Sequence, residues 1–316
     1  MTNPLTFLQS ITFIRIRVIF EAIEPIGLPE YKGSAFRGCL GESLRNQACT
    51  RPGLNCQKCK EQFVCPFSQL FNSYVPQEHE HQRKYPKSPH PYIIDPLAGT
   101  QTEFEPGETF GFDLTLIGSA SKQLPLLLQT FGKMGETGIG KGRGQFKPVG
   151  LQALNADLNY ETLPYFAQPE ILSIGKLPVK ALDKRVTIDL ENPLRLKENG
   201  KLLLSAPGFG LLVERLAQRT GLLAHFYCGA PWPEPELDSI AEITNIPIEK
   251  SQLHEADWRR YSGTQDTTMN FDGLIGQITY RGEGINNWMP LLTLGSWLHV
   301  GSTATFGLGK YSIADH

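Results

Sequence analysis

The sequence predicts an α+β fold built as two tandem ferredoxin-like (RRM-like) βαββαβ domains. Three observations carry this reading. Short runs alternate apolar and polar residues with a period of two, and stripes at a spacing of three to four separate those runs. The same order of runs and stripes then occurs twice, with corresponding elements roughly 165–175 residues apart, a period of domain duplication and not of a solenoid. The expected domains are residues 1–153 and 185–316, joined by a linker at 154–184. Each carries a glycine-rich loop between its last helix and its last strand, in the order of the split βαβ unit.

In the first half, Ile14, Ile16, Val18 and Phe20 alternate with Arg15 and Arg17, which reads as a strand with one buried face. Gly27 and Pro29 break the chain, and Ser34 can cap a helix whose stripe is Phe36, Leu40, Leu44 and Ala48. Arg37 and Arg45 fall away from that stripe, on the side expected to be exposed. Residues 49–65 form a cysteine-containing insertion, and the polar, proline-rich stretch 73–91 reads as a mobile loop. Tyr92-Ile93-Ile94 and the run Phe110, Phe112, Leu114, Leu116 are strands. Leu124, Leu127, Leu128 and Phe131 make a helix, with Pro125 tolerated in its first turn. A glycine-rich loop at 138–144 and a strand near Gln145–Ala153 close this half.

The second half opens on Val186, Ile188 and Leu190, followed by a tight turn at Asn199-Gly200. Phe209, Leu212, Val213, Leu216, Thr220 and Leu223 form a helical stripe, and Pro231–Pro235 interrupts the pattern. Strands return around Trp258–Ser262 and at Leu274, Gly276, Ile278 and Tyr280. Trp288, Leu291, Leu292, Gly295 and Leu298 then lead into the second glycine-rich loop, 299–310.

Composition narrows the function classes. With 316 residues, 40% of them hydrophobic, the chain can bury a core without disulfide staples. A formal net charge of −2 excludes a globally basic nucleic-acid binder, so any such surface is a local patch. No apolar run approaches the roughly 20 residues that span a bilayer, so no membrane partner is expected. Residues 1–10 lack the basic and apolar stretches of a signal peptide, and a cytoplasmic location is expected.

The loop Gly135-Glu136-Thr137-Gly138-Ile139-Gly140-Lys141 nearly matches a nucleotide-binding P-loop, but Gly142 stands where Ser or Thr should hold magnesium. Its helix-to-strand order is also the reverse of a P-loop. Exposed amides with Lys141, Arg143 and Lys147 close by suit a chain of phosphates; the alternative is a glycine-rich turn with solvated cations. His299 and Lys310 bracket the second loop in the same way. Cys49, Cys56, Cys59 and Cys65 have the spacing C-x6-C-x2-C-x5-C, in which the central pair shares one ion and the outer pair completes a tetrahedron. A structural zinc ion is the expected role, with a redox pair or reduced bystanders as alternatives. Four cysteine ligands leave no open position, so catalysis by that metal is not expected.

Arg260-Tyr261-Ser262, Gly273-x-x-Gly276 and Leu298-His299-Val300-Gly301 running to Thr305-Phe306-Gly307-Leu308-Gly309-Lys310-Tyr311 resemble a known closing signature. It is that of the CRISPR-associated precursor-crRNA-processing endoribonucleases of the RAMP superfamily. Phe36-Arg37-Gly38-x-Leu40-Gly41, and the cysteines running into Cys65-Pro66-Phe67-x-x-Leu70-Phe71, resemble a branch with an N-terminal cysteine cluster. The resemblance implies two ferredoxin-like domains and cleavage of CRISPR repeat RNA into guides. It further implies 2′-hydroxyl attack without a catalytic metal, leaving 2′,3′-cyclic phosphate and 5′-hydroxyl ends, and CRISPR effector or adaptation proteins as further partners. A non-catalytic RAMP subunit that binds guide RNA in an effector complex is the alternative.

That chemistry needs a base, an acid and cations for the extra phosphate charge. Family members often place a histidine near the first helix, whereas the first histidine here is His79. His299 is therefore the expected base, since histidine titrates near neutrality, although it could instead cap helix carbonyls or only touch RNA. Tyr31 and Lys32 match the family's catalytic region in position and type only, the alternative being a surface pair at the start of a helix. Arg37, Arg45, Lys141, Arg143, Lys147 and Lys310 are the candidate RNA-backbone contacts.

Overall fold

A computed structural model describes residues 5–164, 167–181, 184–233, 246–256, 259–262 and 267–314, with backbone alone at 259–262 and 267–270. Trp258 and Pro235, used above as boundaries, lie outside the described residues. Two compact units emerge: Phe13–Ile171, and Met1–Thr12 together with Leu172–His316.

The unit Phe13–Ile171 contains β1 (Thr12–Ala22), α1 (Gly33–Ala48), α2 (Pro66–Phe71), β2 (Tyr92–Pro96) and β3 (Thr109–Ile117). It continues with α3 (Leu124–Thr137), β4 (Phe146–Leu154) and β5 (Tyr160–Thr162). Its antiparallel sheet runs β2-β3-β1-β4-β5. The four principal strands thus lie in the order second, third, first, fourth, which is the ferredoxin-like arrangement. Alternation in β1 sends Ile14, Ile16, Val18 and Phe20 into one cluster with Phe36, Leu40 and Leu44 of α1 and Leu127, Phe131 and Met134 of α3. Phe20 is its hub, with ring centroids 5.0 Å from Phe146 and 5.7 Å from both Phe110 and Phe112. Each such buried ring stabilises the fold by about 1.5–3 kcal/mol. The stretch expected as a linker supplies β5, paired to β4, and from Leu172 belongs to the other unit.

That second unit contains β6 (Arg185–Leu194), α4 (Phe209–Cys228), β7 (Ile248–Ala256), β8 (Gly273–Arg281), α5 (Met289–Leu298) and β9 (Tyr311–Ile313). Its sheet order, β7-β8-β6-β9, is again second, third, first, fourth, and all pairs are antiparallel. A hairpin pairs Arg259–Ser262 with Thr267–Asn270. The apolar stripe of α4 is buried as the spacing predicts, with Leu212, Val213, Leu216 and Leu223 all at 1% exposure or less. Gly295 of α5 is required by packing: a Cβ there would lie 2.4 Å from the Tyr311 hydroxyl and 2.5 Å from Leu216. The Tyr311 hydroxyl then donates to the Leu292 carbonyl at 2.6 Å. No described helix is long and apolar enough to cross a membrane.

Candidate nucleic-acid interface and reactive residues

Tyr31 and Lys32 stand at the N-terminal end of α1, Lys32 being its N-cap. The Lys32 side chain is buried and its Nζ donates to the Gly99 carbonyl at 3.1 Å. Burial lowers its pKa, because an ammonium loses hydration there, and the charge of Glu30 opposes that shift only in part. Tyr31 moves the other way. Burial and the nearby Asp95 carboxylate hold its phenol well above the usual value. One neighbour is thereby biased toward accepting a proton and the other toward keeping one to donate.

The first glycine-rich loop folds back on its own unit. Ile139 N–H donates to the Gly144 carbonyl and Lys141 N–H to the Gly27 carbonyl, both at 3.1 Å. A Cβ on Gly140 would lie 2.1 Å from the Gly27 oxygen, at a φ of 76°. The glycines therefore serve close backbone packing, and these two amides are already engaged rather than open to phosphate. Its cations do face outward. Arg143 pairs with Glu42 of α1 at 3.1 Å and Lys147 with Glu21 of β1 at 2.8 Å, while Lys141 is exposed. Exposed pairs of this kind are worth about 0–1 kcal/mol, so a phosphate can replace the carboxylate at little cost.

Arg37 differs from expectation. The insertion returns along α1, and Phe71 of α2 packs so close to Gly41 that a Cβ there would lie 2.7 Å from the ring. Arg37 is consequently half-buried, its guanidinium 5.1 Å from the centre of the Phe71 ring and beside the buried Tyr92 hydroxyl. Arg45 remains exposed, 5.7 Å from the Phe67 ring centre.

The polar side of β1 holds a network that alternation alone did not reveal. Asp95 and Asp113 sit opposite each other in register, an unfavourable juxtaposition of like charges. Arg15 resolves it, its Nη2 donating to Asp95 at 2.7 Å and Asp113 at 3.1 Å. Its Nη1 donates to Thr115 at 3.0 Å and its Nε to the Tyr160 hydroxyl at 2.9 Å. Tyr160 donates to Asp113 at 2.7 Å, and Arg17 binds the same carboxylate through two nitrogens at 2.8 and 3.1 Å. Burial works against the Arg15 charge, but Asp95, Tyr160 and Asp113 outweigh it and raise its pKa. Both faces of β1 are thus covered at Arg15, where a single buried face was expected.

In the second unit the loop 299–310 is clamped to the end of β6. Ser302 N–H donates to the Arg195 carbonyl at 2.9 Å, Gly309 N–H to Pro193 at 3.1 Å, and the Asn192 side chain to the Gly307 carbonyl at 2.9 Å. A Cβ on Gly309, whose φ is 68°, would lie 1.8 Å from the Val300 oxygen. Lys310 pairs with Glu191 at 3.1 Å. His299, expected as the general base, has no exposed surface. It also holds φ 57° and ψ 164°, backbone values that favour glycine. Sequence reading missed Arg219 of α4, whose Nε donates to the Leu298 carbonyl at 3.2 Å and whose pKa burial lowers to about 10. A cation seven residues after Leu212, beside an apolar stripe, was the signal available.

The four cysteines of the insertion occupy the end of α1 (Cys49), the ends of a 3-10 turn (Cys56 and Cys59) and the N-cap of α2 (Cys65), and all are free. Among the described residues no three His, Cys, Asp or Glu side chains are grouped so as to hold a metal ion. The cysteine placement therefore does not by itself present the tetrahedron that the spacing suggests.

Two family models match this chain. AF_1859_N, described as an N-terminal domain, matches residues 10–170, and the model of the CRISPR-associated endoribonuclease Cas6 matches residues 188–311. The first model covers half of the chain, which therefore belongs to the family of that N-terminal domain, and residues 188–311 carry the match to the CRISPR-associated endoribonuclease Cas6. An uncharacterized protein of Archaeoglobus fulgidus is 23% identical over 314 residues, 98% of this chain and 99% of the relative. Among solved structures, a partial Cas6-RT-Cas1–Cas2 complex matches with a TM-score of 0.63 at 12% identity, over 98% of this chain but 47% of that one. This chain thus spans about half the length of that neighbour. Thermus thermophilus Cas6 matches with a TM-score of 0.54 at 13% identity, over 96% of this chain and 99% of its own. At such identities the structural likeness speaks to the fold.

Proposed function

We propose that this protein is an endoribonuclease that cuts CRISPR repeat RNA within its precursor transcript to release guide RNAs. The 2′-hydroxyl attacks the adjacent phosphate: an O2′–P bond forms, the P–O5′ bond breaks, and the products are a 2′,3′-cyclic phosphate and a 5′-hydroxyl. What supports this chemistry is the placement of Tyr31 and Lys32 side by side at the start of α1, with the Lys32 Nζ held 3.1 Å from the Gly99 carbonyl, where burial shifts the two groups in opposite directions. In its neutral form Lys32, once its Nζ leaves the Gly99 carbonyl and the side chain turns out from its buried position, takes the 2′-hydroxyl proton, and Tyr31, kept protonated, donates to the departing 5′-oxygen. Lys141, Arg143, Lys147, Lys310 and Arg45 exchange solvent or surface carboxylates for RNA phosphates. Arg37 braces α1, and His299 sets the shape of the second glycine-rich loop. Because the nucleophile belongs to the RNA, the reaction calls for no metal. Effector or adaptation proteins are the proposed recipients of the guide.

The test is incubation of the protein with end-labelled repeat RNA in EDTA. A discrete cut with a cyclic phosphate end, lost in Lys32→Ala while RNA binding persists, is the expected result. Tight binding without any cut would overturn the reading in favour of a non-catalytic guide-binding subunit.

A further inference from the structure

The insertion that follows α1 carries chemistry that the cleavage reaction does not use. Of the nine exposed large hydrophobic side chains among the described residues, three (Leu54, Phe63 and Val64) fall within eleven consecutive positions. Val64 is 71% exposed and Phe63 39%. Three exposed apolar side chains on one short insertion give it surface with which to meet a partner.

Charge indicates what it contacts. Residues 43–77 contain Arg45, Arg51, Lys58 and Lys60 against Glu61 alone, a net of +3 in a chain of net −2, which leaves the remainder at −5. All four cations are exposed. The rings of Phe67 and Phe71 stack with centroids 5.3 Å apart and planes 7° from parallel, and Arg45 lies over the Phe67 end of the stack. Aromatic faces interleaved with guanidinium and ammonium groups recognise unpaired nucleobases and their phosphates, with little regard to sequence.

We propose that this insertion is a second RNA contact, which holds single-stranded nucleotides flanking the cleaved repeat. Phe63 offers a stacking face, Val64 and Leu54 cover base edges, and Arg51, Lys58 and Lys60 meet the backbone. The proposal rests on the repeat-RNA reading above but concerns the flank alone.

The test uses repeat RNA with a 2′-deoxy nucleotide at the scissile position, either bare or extended by ten unpaired uridines at the 5′ or the 3′ end. The wild-type protein should bind one extended RNA about tenfold more tightly than the bare repeat. The triple variant Phe63→Ala, Lys58→Glu, Lys60→Glu should lose that gain and bind the bare repeat as before, with an unchanged circular dichroism spectrum. For extended RNA, the slope of log affinity against log salt should shrink by roughly 0.7 for each phosphate contact removed. A wild-type protein that binds all three RNAs equally overturns the proposal. So does a triple variant that keeps the gain, which would assign the patch to a protein partner. Failure to bind even the bare repeat instead overturns the function on which the proposal rests.

Discussion

Asp113→Ala tests whether the polar side of β1 is a structural lock. In the native network the charges balance, with Arg15 and Arg17 against Asp95 and Asp113. The Arg15 and Asp113 side chains are 6% and 7% exposed, whereas Arg17 is 31% exposed and can turn to water. Removing the Asp113 carboxylate deprives Arg15 of one partner and Tyr160 of its acceptor, but leaves Arg15 paired to Asp95. Breaking a buried ion pair from one side costs about 3–5 kcal/mol. The surviving Asp95 contact places this case near the lower end, about 3 kcal/mol, or roughly 6–12 °C in melting temperature for a domain of this size. Asp113→Asn keeps an acceptor for Tyr160 and should lose less. Arg17→Ala, which removes a partly exposed cation, should cost about 1 kcal/mol or less. Thermal melts of the full chain give the magnitudes, and faster amide hydrogen exchange confined to β1 and β3 gives the place. An Asp113→Ala protein that melts within about 1 kcal/mol of wild type would show that the network does not hold the sheet.

Other outcomes follow from the same geometry. If Lys32 is the base, the cleavage rate rises with pH as its neutral fraction grows and levels off below the ordinary lysine value, because its pKa is lowered; Lys32→Arg should abolish that rise. The same shift predicts a small gain in stability between the folded pKa and 10.5, where the unfolded chain binds more protons. Gly309→Ala should destabilise the second glycine-rich loop severely, as its Cβ would meet the Val300 oxygen, while Gly53→Ala meets nothing within 4 Å and pays only for its φ of 88°. Protein purified under reducing conditions is expected to carry about one zinc per chain, as the cysteine spacing indicates. Elemental analysis that finds none would leave the four cysteines as reduced thiols, in keeping with their ungrouped placement.

Local pattern carried the fold. The alternation of Ile14, Ile16, Val18 and Phe20 and the four-residue stripe of α1 are set by backbone geometry, and a duplicated order fixes topology with few alternatives. What escaped depends on partners distant in the chain. Arg15 looks like a solvated residue until Asp95 and Asp113, 80 and 98 positions away, are brought beside it. Arg37 looked exposed because helix periodicity cannot show that an insertion will fold back and set Phe71 over it. Residues 73–91 read as mobile from their polarity. Yet Tyr74 bridges to Lys87, Val75 N–H bonds the Pro86 carbonyl at 3.2 Å, and the Ser73 hydroxyl meets His90 at 2.8 Å. The glycine loops were located correctly as turns rich in positive φ, but composition alone could not tell a cradle for phosphate from a close backbone crossing.

His299 shows how burial changes the meaning of a residue type. A histidine at the head of a glycine-rich loop suggests a base, because imidazole titrates where RNA cleavage runs. A ring without exposed surface cannot meet a 2′-hydroxyl in this arrangement, and its backbone angles cost about 1–3 kcal/mol, strain that persists only where surrounding packing imposes it. Those two facts together describe a strut. His299→Gly relieves the backbone and removes the ring, whereas His299→Ala removes the ring and keeps the strain, so the glycine variant should be the more stable of the two. Both should cut more slowly with the shape of the wild-type pH profile retained, since the loop is misplaced but the proton-transfer groups are intact. Loss of the neutral limb of that profile in both variants, with folding and RNA affinity preserved, would instead make His299 the base and require the loop to open before the RNA is cut.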